Sequence, residues 1–369
     1  MNFDFSEDIK TMREEVRRYL ADRVPAGAVR KRIESGHAFD RDLWREMAEM
    51  GWLGVAIPEN YGGAELGHEA LCMIAEEIGM ALPPVPFAAS IYGAAEALLV
   101  FGSEEQKQKY LPQLASGEII GTFAIAEGPG DPAAATIYAK VQGGKLSGAK
   151  LPVMDGDIAD IAIVAAVANG KPGLYLVELN ADSVSREPMK TLDIAHGYSR
   201  LTFKDAAADP LPGAGDWDAV ATWLDRIAIL CAFEQVGGAQ AALNMAVEYA
   251  KDHYAFGRPI GSFQALKHKL ADMYVATELA RSNAYYGAWA LESGTSELPL
   301  AASAARVAAT DAFHLASKEN IQTHGGMGFT WESDCHLYYR RAKQLATLAG
   351  SSRYWRNRLI DHLRQRNDA

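Results

Sequence analysis

Cysteine is scarce: 369 residues contain three, Cys72, Cys231 and Cys335. They lie too far apart for a metal-ligand pattern or a disulfide framework, so no metal site is expected. An odd, scattered set fits a reducing compartment with buried thiols acting as small apolar side chains, and a cytoplasmic location is expected. Long apolar runs are also missing. None approaches the roughly 20 residues of a membrane span, and residues 1–20 mix acids, bases and apolar side chains at helical spacing, unlike a signal or transit peptide. Basic charge is short, with 36 Lys and Arg against 47 Asp and Glu and a net charge of -11. A general nucleic-acid surface needs the opposite excess. A local basic pocket for a phosphorylated cofactor is compatible with that average.

What is present is an ordinary globular composition, 49% hydrophobic, in a chain long enough for two or three structural units. Residues 1–119 read as an α-helical domain, with helices near 6–23, 40–50 and 66–80 broken by Pro58-Glu59-Asn60-Tyr61-Gly62-Gly63 and by Leu82-Pro83-Pro84. Ser103, followed by Glu104 and Glu105, marks a helix start. Residues 120–214 change texture. Runs at 122–125, 136–141, 161–167, 174–177 and 201–203, with Gly143-Gly144 and Asn169-Gly170 between them, predict a mainly antiparallel β domain. Residues 215–369 return to helical periodicity, with apolar stripes through 218–252, 264–292 and 297–322. The fold class is therefore α+β.

Several motifs in this order resemble the acyl-CoA dehydrogenases across nearly the whole chain. They are Gly51-Trp52-Leu53-Gly54, Gly102-Ser103-Glu104-Glu105-Gln106, Phe123-Ala124-Ile125-Ala126-Glu127, Phe256-Gly257-Arg258-Pro259-Ile260 with Phe263-Gln264, and Gln322-Thr323-His324-Gly325-Gly326-Met327-Gly328-Phe329. The resemblance implies a helical N-terminal domain, a middle β domain and a C-terminal four-helix bundle. It also implies FAD as cofactor, an acyl-CoA substrate and α,β-desaturation by an oligomer. The glycine-rich loop would bring backbone N–H groups to the cofactor's pyrophosphate, where a Cβ would intrude; the bland alternative is a C-terminal helix cap. By resemblance, Gln322, Gly325, Gly326 and Gly328 in that loop reach the ADP part of FAD, with Gln264 as a polar contact and Phe256 as a packing surface. Phe123, Ile125 and Ala126 form the flavin-side strand.

The chain departs from the family pattern in ways that bear on function. His253 replaces an arginine that helps to hold the cofactor's phosphates, and histidine cannot make the same bidentate fork. Ala126 lacks the hydroxyl of the usual Thr-Glu-Pro. Pro132 stands where a serine is expected, and Pro152 and Met154 replace the flavin-covering tryptophan and a hydroxyl residue after the turn expected at 146–150. The catalytic glutamate that takes the substrate α-proton is replaced by Ala349, and the alternative position on the first bundle helix is Ile227. Asp225 reads as a solvated first-turn acid. Glu234, in an apolar stretch, is the remaining candidate base, but its setting suits a structural hydrogen-bond acceptor better. The resemblance thus points to the smaller, base-less subunit of a heteromeric dehydrogenase for bulky acyl-CoAs such as steroid side chains. Its partner would be a second, glutamate-bearing subunit, and an electron-transfer flavoprotein is one electron acceptor. A self-sufficient homo-oligomer, an acyl-CoA eliminating enzyme and a non-catalytic flavoprotein partner are the alternatives.

Overall fold

A computed structural model describes residues 5–36 and 39–368. The order is helices, then a sheet, then a helical bundle, and it divides into two compact units. One comprises residues 39–71 and 84–227; the other comprises 5–36, 72–83 and 228–368. Two helices, α4 (Gly67–Ala81) and α7 (Trp217–Asp252), contribute residues to both.

The first unit is built on an eight-stranded sheet in the order β6-β7-β3-β2-β4-β5-β8, with β1 also paired to β4. These strands are β1 (Gly121–Ala124), β2 (Lys140–Gln142), β3 (Lys145–Met154), β4 (Ile161–Ala168), β5 (Lys171–Glu178), β6 (Val184–Pro188), β7 (Tyr198–Ala207) and β8 (Asp209–Pro210). The central strand β4 reads Ile-Ala-Ile-Val-Ala-Ala-Val-Ala, a continuous apolar run, and its first six residues are buried. Such a run suits a strand covered on both faces. Two hairpins follow directly from sequence. Gly143-Gly144 joins β2 to β3 and Asn169-Gly170 joins β4 to β5, each a two-residue loop with both φ angles positive, as the right-handed twist of the flanking strands requires.

As expected, the sheet is mainly antiparallel: five of its seven strand pairings are antiparallel, and β1 and β2 run parallel to β4. Two other expectations are corrected. The run at 136–141 is extended only from Lys140, after a 3-10 turn at Ala134–Thr136. Leu146-Ser147-Gly148-Ala149-Lys150 is not a turn but the middle of β3, paired with β7 through a bulge.

In the second unit the long helices are α7, α8 (Gln264–Ser293) and α9 (Leu298–His324), followed by α10 (Cys335–Leu345) and α11 (Ser352–Asp368). Small residues let them approach closely. A Cβ on Gly238 would lie 2.3 Å from the Phe313 ring, one on Gly79 would lie 1.8 Å from the Glu234 carbonyl oxygen, and one on Gly237 the same distance from that of Glu76. Here α4 and α7 touch backbone to backbone. Ala239, Ala242, Leu243, Ala246, Met273, Phe313 and Leu345 belong to one apolar core. No helix among the described residues is long and apolar enough to cross a membrane. Among them no cluster of three or more His, Cys, Asp or Glu is placed to hold a metal.

Candidate functional site

The candidate cofactor residues of the second unit occupy two adjoining segments. Helix α9 stops at Gly325, whose φ of 58° and ψ of -135° suit only glycine. Its N–H donates to the Gln322 carbonyl, and the 3-10 turn Gly325–Phe329 follows. A Cβ on Gly325 or Gly326 would meet nothing within 4 Å. The backbone there borders open space that a ligand's phosphate could occupy. Gly328 has a different reason to be glycine: it is buried, and a Cβ would lie 2.4 Å from the Ile321 carbonyl oxygen. Gln322 is exposed on the last turn of α9, and Gln264 is exposed at the first position of α8.

His253 follows directly on α7 and is exposed. Its carbonyl accepts from the Ile260 N–H at 2.8 Å, closing a two-stranded ribbon, β9 (Tyr254–Ala255) with β10 (Arg258–Pro259). The ribbon's two-residue turn is Phe256-Gly257, with φ of 55° and 79°. At the two equivalent turns in the sheet the first residue is Gly or Asn. Here it is a phenylalanine, 95% exposed. A bulky residue in the left-handed region stores strain, and an exposed ring gains no burial to offset it. Phe256 is thus shaped for a surface outside this chain's own core. Its ring meets Phe263 edge-on at 6.2 Å, and the Arg258 guanidinium lies 4.0 Å from the centre of the Phe263 ring. The two segments are joined by Tyr249, on whose ring stack both His253 at 4.8 Å and His324 at 4.1 Å.

The residues expected on the flavin side lie in the first unit. Phe123 is buried, edge-on to Trp223 at 5.9 Å, and Ile125 is also buried. Ala126 is half-buried, and its carbonyl accepts from Leu151 N–H at 2.9 Å. The segment is pinned to β3 by an ion pair that the sequence did not reveal. Lys150, fully buried, donates from Nζ to Glu127 Oε1 at 2.7 Å and to the Ile125 carbonyl at 2.9 Å. The same Glu127 oxygen accepts the N–H groups of Tyr138 and Ala139. Burial lowers the Lys150 ammonium to about 8, although Glu127 pulls it back up. Pro152 is exposed and carries no N–H, while the Met154 side chain is buried and its carbonyl accepts from Thr122 Oγ1 at 2.6 Å. The segment therefore presents backbone groups and apolar side chains where a hydroxyl and an indole were expected.

The candidate base positions are apolar or engaged. Ala349 is nearly buried, with φ of 60°. Its loop is held by Arg306, a buried guanidinium that donates to the Leu348 carbonyl at 2.8 Å and also to the Leu345 carbonyl and Gln235. Ile227 is fully buried. Asp225, expected in a solvated turn, is only 1% exposed; it lies on α7 after two full turns, not in the first. Glu234 is buried, and its Oε1 accepts from Arg341 Nη1 at 2.8 Å, with Arg341 itself 3% exposed. Next to Ile227 in sequence, Arg226 donates to Glu96 Oε2 at 2.7 Å, and His68 Nε2 lies 2.8 Å from the other oxygen. Despite burial, His68 and Arg226 hold the Glu96 carboxyl down to about 2.

Residues 6–118 match the family described as acyl-CoA dehydrogenase, N-terminal domain, and residues 215–363 match the acyl-CoA dehydrogenase C-terminal domain. The chain is 35% identical over 353 residues to the acyl-CoA dehydrogenase IpdE2 of Mycobacterium tuberculosis, covering 94% of each chain. Its fold is similar to a variant of the Tcur3481-Tcur3483 steroid ACAD, with a TM-score of 0.90 and 32% identity over 98% of this chain and 99% of the other. It is also similar to the ChsE4-ChsE5 complex from Mycobacterium tuberculosis, with a TM-score of 0.89 and 27% identity over 98% of this chain and 99% of that one. The chain therefore belongs to the acyl-CoA dehydrogenase family of FAD-binding flavin oxidoreductases.

Proposed function

We propose that this chain is the base-less subunit of a heteromeric acyl-CoA dehydrogenase. It lends the loop containing Gln322, Gly325 and Gly326 and the Phe256 ribbon to an FAD whose flavin is held by a second, glutamate-bearing subunit. The observation that carries this reading is Ala349. Removal of a thioester α-proton needs a positioned carboxylate, and neither Ala349 nor Ile227 can take a proton. Glu234 faces Arg341 in a buried pair, which suits a structural acceptor rather than a base.

The open space at Gly325 and Gly326 fits a pyrophosphate, and the exposed Phe256 ring fits a surface supplied by another chain. A bound flavin would supply the acceptor for the hydride that leaves the acyl β-carbon. This chain's residues would bind and orient: the loop after α9, open at Gly325 and Gly326, would admit the phosphates, Gln264 would offer a polar contact, and Phe256 would pack. On the flavin side, the altered residues Ala126, Pro132, Pro152 and Met154 leave fewer donors, each worth about 0.5–1.5 kcal/mol. The word steroid in the name of the Tcur3481-Tcur3483 ACAD supports a bulky acyl-CoA substrate, and the paired names of that protein and of the ChsE4-ChsE5 complex support a two-chain assembly. An electron-transfer flavoprotein as acceptor and a cytoplasmic setting, consistent with three buried free thiols, complete the reading.

The test is cofactor stoichiometry from flavin absorbance. Purified alone, the chain should hold FAD substoichiometrically. Co-expressed with a glutamate-bearing relative, it should form a complex that retains FAD. One tightly bound FAD per chain in a homo-oligomer contradicts the proposal.

A further inference from the structure

We propose that a cleft among the helices of the second unit binds a small neutral alcohol with an apolar body. The cleft has a volume of about 340 Å³, within the roughly 300–1,000 Å³ usual for small-ligand sites. It is walled by α1 (Glu7–Arg23), the turn into α2 (Ala28–Glu34), the end of α4, Met245 of α7, and α10. None of its lining residues is among the candidate cofactor or base residues. The inference therefore goes beyond the FAD-clasp reading and does not depend on it.

The walls are apolar and tied together. Helix α1 contributes the buried Leu20 and the exposed Ala21, a methyl group where a longer side chain would fill the space. Helix α4 runs out at Ala81, and Leu82 follows with φ of 50°, a conformation rare for leucine, its N–H still bonded to the Ile78 carbonyl at 2.9 Å. The turn before α2 is joined to α10, because the Gly27 N–H donates to Asp334 Oδ2 at 2.6 Å. Most of the lining residues are apolar, so an apolar body gains by leaving water for the cleft.

The polar groups in the wall select the ligand's head. Arg17 donates from Nε and Nη2 to the two oxygens of Glu77, at 3.0 and 2.7 Å, and Arg13 donates to the same carboxylate at 2.8 Å. Cation and carboxylate are thus matched within the chain. Asp334 differs. Its side chain is 18% exposed, and its Oδ1 accepts no hydrogen bond among the described residues. Arg30 Nη1 lies 3.7 Å from that oxygen but donates instead to the Trp331 carbonyl at 3.0 Å. The charge of Asp334 is therefore balanced, and what it lacks is a donor. Tyr338, also in the wall, donates to the Met80 carbonyl at 2.7 Å, which leaves its own oxygen as an acceptor. Two acceptors beside balanced charges fit a hydroxyl, which donates without bringing charge. An ammonium would add a cation beside Arg17 and Arg30, and a carboxylate would meet acceptors with an acceptor.

The experiment is calorimetric titration of the full-length chain, in the oligomer it forms, with probes that share one alkyl chain: 1-octanol, octyl methyl ether, octanoate and octylammonium. Octanol should bind saturably at one site per chain. The ether, which cannot donate, should bind about 10-fold more weakly, as loss of a hydrogen bond to a charged group implies, and so should both ions. Asp334→Asn keeps an oxygen for Gly27 and turns the unfilled acceptor into a donor, so the preference for octanol over the ether should fall to about twofold. Ala21→Phe, on the exposed side of α1, should weaken octanol at least about 10-fold by filling the cleft, without moving the unfolding temperature. Absence of saturable octanol binding overturns the proposal. So does tighter binding of either ion, or a preference for octanol that survives Asp334→Asn. FAD retention reads the clasp separately, so failure of one reading leaves the other standing.

Discussion

Replacing Glu234 by Gln separates a structural carboxylate from a catalytic one. The Glu234–Arg341 pair is dry, with side-chain exposures of 1% and 4%. Removing one charge from such a pair leaves the other buried and uncompensated, which typically costs about 3–5 kcal/mol. The amide still offers an oxygen to Arg341, so the lower part of that range is expected, about 3 kcal/mol. Replacing both residues together by apolar ones of similar volume should cost far less, because buried pairs often do no better than hydrophobic isosteres. Urea unfolding of the single and double variants gives these energies, with an unchanged m-value confirming that only stability moved. Anaerobic flavin reduction of the assembled complex gives the catalytic effect, which should stay within about twofold. A Glu234→Gln chain that loses under about 1 kcal/mol yet reduces flavin at least about 100-fold more slowly would refute the reasoning, since that is the signature of a general base.

Three further outcomes follow from the packing and the charges. Gly326→Val places its side chain in open space at a position without a positive φ, so FAD retention should fall while thermal stability holds; unchanged retention would make the loop only a helix cap. Gly79→Ala, which on helix propensity alone would gain about 1 kcal/mol, should instead destabilise by about 2 kcal/mol or more in denaturant, because its Cβ would lie 1.8 Å from the Glu234 carbonyl oxygen. Glu96 is lowered from 4.5 to about 2, so its stabilisation is complete above about pH 4.5 and is lost as pH falls through 2. Acid titration of stability should show about 3 kcal/mol of loss across that window, absent in Glu96→Gln.

The elements legible in the sequence were those set by local chemistry. Asn169-Gly170 and Gly143-Gly144 specify their hairpins because only residues tolerant of positive φ close a two-residue loop. Ser103 caps its helix in a capping box with Gln106. The apolar stripes of α7, α8 and α9 were long enough to identify. What escaped was non-local. The strand content of 146–150 depends on pairing with β7, which no local pattern announces. Lys150 looked like a turn residue because its partner Glu127 is 23 positions away. Asp225 read as solvated because an acid near a helix start usually is, whereas burial depends on what covers that face. Arg306 gave a usable signal: a basic residue on the alanine-rich buried stripe of Ala302, Ala305 and Ala309 needs an internal acceptor. That acceptor is the loop carrying Ala349.

The central claim, that this chain cannot supply the base, is tested most directly by anaerobic flavin bleaching with a panel of acyl-CoA thioesters. FAD is supplied to the lone chain in excess and compared with the chain assembled with a glutamate-bearing partner. The account predicts reduction by the lone chain about 10²–10⁴-fold slower than by the assembly, with Glu234→Gln leaving both rates nearly unchanged. Rapid bleaching by the lone wild-type chain, abolished by Glu234→Gln, would contradict it.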